Sequence, residues 1–131
     1  MKRAILLIWA VCGVAAAEEY TEFTAWMKST GSAFHAVEKL NPKTGTEAVG
    51  SAEQLGKVYE NMIAFWRQRN AADAVKWSEE GKAASAQLAS AAHSGDAEAA
   101  GAAFKALGGT CRSCHQAHRE KTADGKYKIK E

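Results

Sequence analysis

Two of the chain's three cysteines and two of its four histidines fall within eight residues, inside the stretch GGTCRSCHQAHR that begins at Gly108. On a helix, positions three and four apart share a face, so Cys111, Cys114 and His115 project together. Cys-x-x-Cys-His is the attachment signature of a c-type haem. The spacing has a chemical reason. Two thiols one turn apart can each add to a vinyl group along one edge of the porphyrin, and the adjoining imidazole is held beneath the iron as its proximal ligand. The two thioethers then make heme c, one per chain, part of the covalent polymer.

Three other readings compete for the same residues. A thioredoxin-like thiol pair normally follows a strand in an α/β unit, and no strand pattern precedes Thr110. A zinc site from Cys111, Cys114, His115 and His118 would draw every ligand from two turns of one helix, which can hardly wrap a tetrahedral ion. Chance is the third.

The remaining cysteine bears on this choice. The chain opens MKRAILLIWAVCGVAAAEEY, with two basic residues, an apolar run to about Val14, and Ala15-Ala16-Ala17. That order is an export signal, too short to stay in the membrane as a span. Cleavage is expected after Ala17, making residues 1–17 the signal and 18–131 the mature domain. Cys12 leaves with the signal; its use as a lipid-anchor site is disfavoured by the branched Val11 before it. Cys111 and Cys114 are then the only thiols of an exported protein, so no disulfide between distant cysteines can form. Losing Lys2 and Arg3 lowers the basic count from 17 to 15, equal to the 15 acidic residues. A neutral chain offers no electrostatic case for nucleic acid or a membrane surface.

The elements that must carry the motif are helical throughout. Apolar spacing of the helical kind recurs four times. Its stripes are Tyr20, Phe23, Met27, Gly31, Phe34 and Val37; then Leu55, Val58, Tyr59, Met62, Phe65 and Trp66; then Val75, Ser78, Gly81, Ala84, Leu88 and Ala91; then Ala100, Phe104, Leu107, Cys111, Cys114 and His118. Asn41 to Gly45 separates the first pair. Asn70 and Asp73 are expected to cap the third helix, Ser94-Gly95 to end it, and Asp96 to cap the fourth. The spacing predicts helices at about 19–40, 46–69, 71–93 and 97–122. Short connections make neighbours antiparallel. The expected fold class is all-α, an antiparallel up-down-up-down four-helix bundle with haem on the C-terminal helix.

A CxxCH on the last helix of a secreted four-helix bundle resembles the class II cytochromes c, which include cytochrome c′. The likeness covers nearly the whole mature chain and is sharpest in GDAEAAGAAFKALGGTCRSCHQAHREK. By that resemblance Arg119 stands near the haem and its proximal His115, while His118 replaces the family's aromatic residue. Gly108 and Gly109 cost the helix about 1 kcal/mol each relative to alanine. Close approach of the backbone to a flat macrocycle is one reason to accept that cost, and a simple helix break is the other.

The resemblance also places the distal residue on the first helix. A methionine there makes the iron six-coordinate and the protein an electron carrier; an apolar residue leaves it five-coordinate and open to small gases. Met27 lies at that depth on the first stripe, and its thioether is expected to ligate the iron. Met62 sits on the second helix, off the family position. The expected function is thus a periplasmic monohaem cytochrome carrying single electrons between periplasmic redox proteins, with no enzymatic activity. The alternative is a five-coordinate cytochrome c′ binding nitric oxide or carbon monoxide. The family also suggests a homodimer. His35, His93, Trp26, Trp66 and Trp77 read as packing or surface residues, and Phe23 and Phe104 as haem walls by helix phase alone. The C-terminal tail, with six basic against three acidic residues from Arg112 onward, reads as solvated or as a steering patch for an acidic partner.

Overall fold

The computed structural model describes residues 13–130, with side chains from Tyr20. Four helices follow one another: α1 (Gly13–Glu38), α2 (Thr46–Gln68), α3 (Ala72–Ser94) and α4 (Ala97–His118), and a short hairpin, β1 (Arg119–Lys121) and β2 (Tyr127–Ile129), closes the chain. The four-helix bundle is as expected. The export signal falls largely on residues 1–12, outside the described part. Among the described residues no helix is long and apolar enough to cross a membrane.

Size complementarity joins α2 to α3. The buried face of α2 carries Tyr59, Met62, Phe65 and Trp66, and that of α3 carries Ala74, Ser78, Gly81, Ala84, Ser85 and Leu88. Large side chains thus meet small ones, and the two helices approach closely. The hydroxyls buried on α3 are satisfied within the helix, Ser78 donating to Ala74 O at 2.7 Å and Ser85 to Gly81 O at 2.8 Å. Leu55, Leu88, Leu107 and Val37 form the fully buried centre.

Helix ends follow the sequence in part. Gly95 takes a left-handed φ of 75° at the end of α3, and Asp96 caps α4 by accepting from Ala99 N at 3.0 Å. Asp96→Ala should therefore lower unfolding free energy by about 1 kcal/mol, read as an earlier urea midpoint at unchanged slope. The expected cap of α3 is not made. Asn70 itself adopts φ 55° in the turn, so its side chain is not placed to cap, and Ala71 stands at the N-cap without a side-chain bond. Lys43 closes α1 instead of any glycine, donating to the carbonyls of Val37, Glu38 and Leu40 at 3.3, 3.0 and 3.1 Å. Its ammonium also lies over the Phe104 ring, 4.8 Å from the centroid.

The largest departure is at the C-terminus. α4 runs unbroken through Gly108 and Gly109 but stops at His118, not near 122. Arg119 turns to extended backbone, and residues 119–121 pair antiparallel with 127–129, Arg119 opposite Ile129. Gly125, at φ 81°, makes the turn, and Thr122 donates to Asp124 within it. Lys130 N then bonds His118 O at 2.8 Å, so the hairpin satisfies a carbonyl that the helix end leaves open. The tail is folded onto the bundle, with Ile129 packed against the core.

Candidate functional site

Past Leu107, no residue of α4 is fully buried: Gly108 through Cys111, then Ser113, Cys114, His115, Ala117 and His118, are all half-exposed. A helix of a bundle with no buried side chain over its last three turns has an uncovered face. The cause lies across from it. α1 packs on α2 and α4 packs on α3, whereas the backbones of α1 and α4 do not pack closely. Side chains bridge that seam at its ends. At one end Phe34 stacks on Phe104, centroids 4.4 Å apart, and its ring lies 3.5 Å from where a Cβ on Gly108 would fall. At the other, Phe23 packs on Trp66 and Phe65, and Trp66 packs on His118 at 4.8 Å. Along α4, Cys111, Cys114 and His115 lie between these two contacts.

The donor chemistry fits a c-type haem in that seam. Both cysteines are free thiols, one turn apart on continuous helix. Burial first, then the Arg119 charge, holds the His115 imidazole below its usual pKa, so it is neutral at pH 7 with a lone pair free to bind iron. Among the described residues, two buried polar atoms also lack partners, Trp66 Nε1 and Thr30 Oγ1; Thr30 shares the α1 stripe of Met27 and Phe34. Unsatisfied buried groups at a seam mark a place where another group is expected.

The rival readings do not fit. The Cys114 thiol is pushed up to about 11, by burial first and then by the charges of Asp73 and Cys111. A redox-active pair needs a thiol shifted the other way. Among the described residues no group of three or more His, Cys, Asp or Glu side chains could hold a metal ion, which removes the zinc cluster. A surface furrow of about 540 Å³ lies elsewhere, between α2 and α3, lined by Glu60, Arg67, Glu79 and Lys82. It is crossed by the Arg67–Glu79 and Lys82–Glu60 ion pairs and holds no residue of the motif.

The other expected residues are placed as follows. Met27 is half-buried against the core on the α1 side of the seam. Arg119 is exposed, its guanidinium 4.1 Å from the Tyr127 ring centroid, yet near enough to His115 to depress its pKa. Phe104 stacks on Phe34 and Phe23 joins the Trp66 cluster, so both border the seam from its ends. His118 keeps the packing of an aromatic residue, set between Trp66 and Trp77, and adds a hydrogen bond to Asp73, Nε2 standing 3.0 Å from each carboxylate oxygen. That bond ties the last turn of α4 to the first turn of α3. Sequence reading missed Asp73 in this role, and it missed Tyr59, whose phenol oxygen lies 3.5 Å from Cys111 Sγ. Neither carried a local signal, since both partners are distant along the chain.

Comparison with known proteins gives one consistent answer. The family described as Cytochrome C' matches residues 14–119. A cytochrome c′ of Pararhodospirillum photometricum is 34% identical, over 81% of this chain and all of the relative. A cytochrome c′ of Rhodospirillum rubrum is 42% identical over 55% of this chain and 43% of the relative. A solved cytochrome c′, described by its unusual ligand-controlled dimer dissociation, superposes with a TM-score of 0.68 at 20% identity, covering 91% of this chain and 100% of that one. These matches overturn the expected His/Met-ligated electron carrier: the family model and both relatives are cytochrome c′, which fits the five-coordinate alternative better. Met27 loses its assignment as distal ligand with it. A methionine packed against an apolar cluster fills space as other core methionines do.

Proposed function

Because the chain belongs to the cytochrome c′ family, whose cofactor is one covalently attached heme c per chain, we propose that it is a periplasmic five-coordinate haem protein that binds small diatomic gases. Nitric oxide and carbon monoxide are the ligands in question. When bound, the haem would supply an iron able to take a small gas as ligand. Everything else is done by side chains. Cys111 and Cys114 anchor the cofactor through thioethers, and His115 presents its neutral imidazole as the proximal ligand. Burial first, and the Arg119 charge second, hold that imidazole in its neutral form. Across the seam, Met27, Thr30 and Phe34 form a wall that is apolar apart from one hydroxyl. Such a wall excludes water and charged ligands while admitting an uncharged diatomic.

The observation that carries this reading is the family match extending over the CxxCH-bearing helix and the α1 wall together. The protein acts as a binder and not as an enzyme. No activated nucleophile or acid–base pair stands in the seam among the described residues. Residues 1–17 serve as the export signal and 18–131 as the mature domain, and a homodimer is the proposed assembly.

Carbon monoxide tests the reading directly. The reduced holoprotein should bind it rapidly, with an immediate change in the Soret band, and Met27→Ala should leave the ligand-free spectrum five-coordinate. Slow or absent binding, with an iron–sulfur charge-transfer band in the oxidised protein that Met27→Ala removes, would overturn it.

A further inference from the structure

Tyr59 reaches from α2 across the bundle to the beginning of the haem-attachment motif. Its phenol oxygen lies 3.5 Å from Cys111 Sγ and 3.4 Å from Thr110 Oγ1. The Thr110 hydroxyl donates to Leu107 O at 2.8 Å, which leaves its oxygen able only to accept from the phenol. The ring is locked from behind by the absence of a side chain. A Cβ built on Gly81 would fall 2.4 Å from Cε1 and Cζ of Tyr59, closer than carbon atoms can come. The phenol is 5% exposed and therefore cannot swing to water. No hydrogen bond reaches Cys114 Sγ among the described residues, so the two sulfurs differ.

The geometry points to Tyr59 as a positioning residue for the Cys111 sulfur: a phenol seated by Gly81 donates a hydrogen bond to that sulfur and not to its neighbour at Cys114. This rests on the proposed haem attachment. In that attachment the thiol adds across a vinyl double bond; a carbon–sulfur bond forms, the thiol hydrogen goes to the adjacent vinyl carbon, and no electrons are lost or gained. Before it, either phenol or thiol can donate. Afterwards the sulfur has no hydrogen and can only accept, so any hydrogen bond between the two is donated by the phenol, for whose one proton the Thr110 oxygen also competes. Burial raises the Tyr59 pKa well above its ordinary value and keeps that proton in place. A donor at one thioether alone fixes the orientation of that sulfur and withdraws electron density from one edge of the macrocycle.

The test uses ferric holoprotein and its paramagnetically shifted haem methyl resonances in proton NMR. Tyr59→Phe keeps the ring and removes one oxygen. The methyl next to the Cys111 thioether should move while the methyl next to the Cys114 thioether stays, and the midpoint potential should fall. Thr110→Val removes the competing acceptor and should move the Cys111-side methyl in the opposite sense. If Tyr59→Phe does not fold, this second variant decides alone. Unchanged methyls in a haem-bearing protein, or equal movement on both edges, would overturn the proposal and leave haem attachment standing. A wild-type chain with the mass of the bare polypeptide would sink both.

Discussion

Serine at both 111 and 114 should turn a protein that keeps its haem through acidified organic solvent into one that surrenders all of it. Whole-protein mass spectrometry should then give the mass of the polypeptide alone, where the wild type carries the added mass of one haem. The single variants should each retain covalent haem through the remaining sulfur. The size of the effect follows from what is removed. A hydroxyl does not add to a vinyl group as a thiol does, so no carbon–oxygen bond replaces the carbon–sulfur bond. What would remain is one His115–iron bond and the apolar seam between α1 and α4, both reversible. Covalent haem persisting in the double variant would show that the attachment lies elsewhere. The half-exposure of the whole last part of α4 makes a further mark of the same change. With the cofactor gone, that face is left to water, and thermal unfolding should begin at lower temperature.

Gly81→Ala should cost about 2–3 kcal/mol in unfolding free energy, at the upper end for overpacking of a well-filled core. The new methyl would meet the Tyr59 ring at 2.4 Å. Neither partner can yield cheaply, because the ring is buried and the glycine lies mid-helix in α3 against α2. The sign reverses when the ring is gone. On a Tyr59→Ala background the same substitution should stabilise by about 1 kcal/mol, since alanine is the better helix former. Urea titrations of the four proteins form a double-mutant cycle that isolates the contact. Equal losses on both backgrounds would mean that the glycine is needed for something other than the phenol.

Much of this architecture could be read from residues near one another in the chain. Gly95 and Asp96 end α3 and start α4 as their types suggest, because caps are made within four residues. Asn70 and Asp73 depart from the expected cap for an instructive reason. Both are good capping residues, but Asn70 tolerates left-handed backbone and was used for the turn, while Asp73 was drawn to His118, 45 residues away. The closing hairpin did carry a signal in Asp124-Gly125 followed by the alternating Lys-Tyr-Lys-Ile-Lys. The helical period of the preceding stripe concealed it.

Met27 shows the limit on the functional side. Its place on the α1 stripe was legible, and its half-buried position against the core agrees. Whether its sulfur binds iron depends on how far α1 stands from the cofactor, which helix phase does not encode. The family likeness decided against it.

By itself, the amino-acid order determined the covalent chemistry and the helix that bears it. Two thiols and an imidazole at spacings of three and four fall on one side of any α-helix, whatever surrounds them. Only the tertiary structure decided that α1 stands off from α4, that Tyr59 meets Cys111 from 52 residues away, and that Gly81 makes room for it. Those relations depend on how four helices settle against one another, and packing is set by the fit of whole faces, not by any local run of residues.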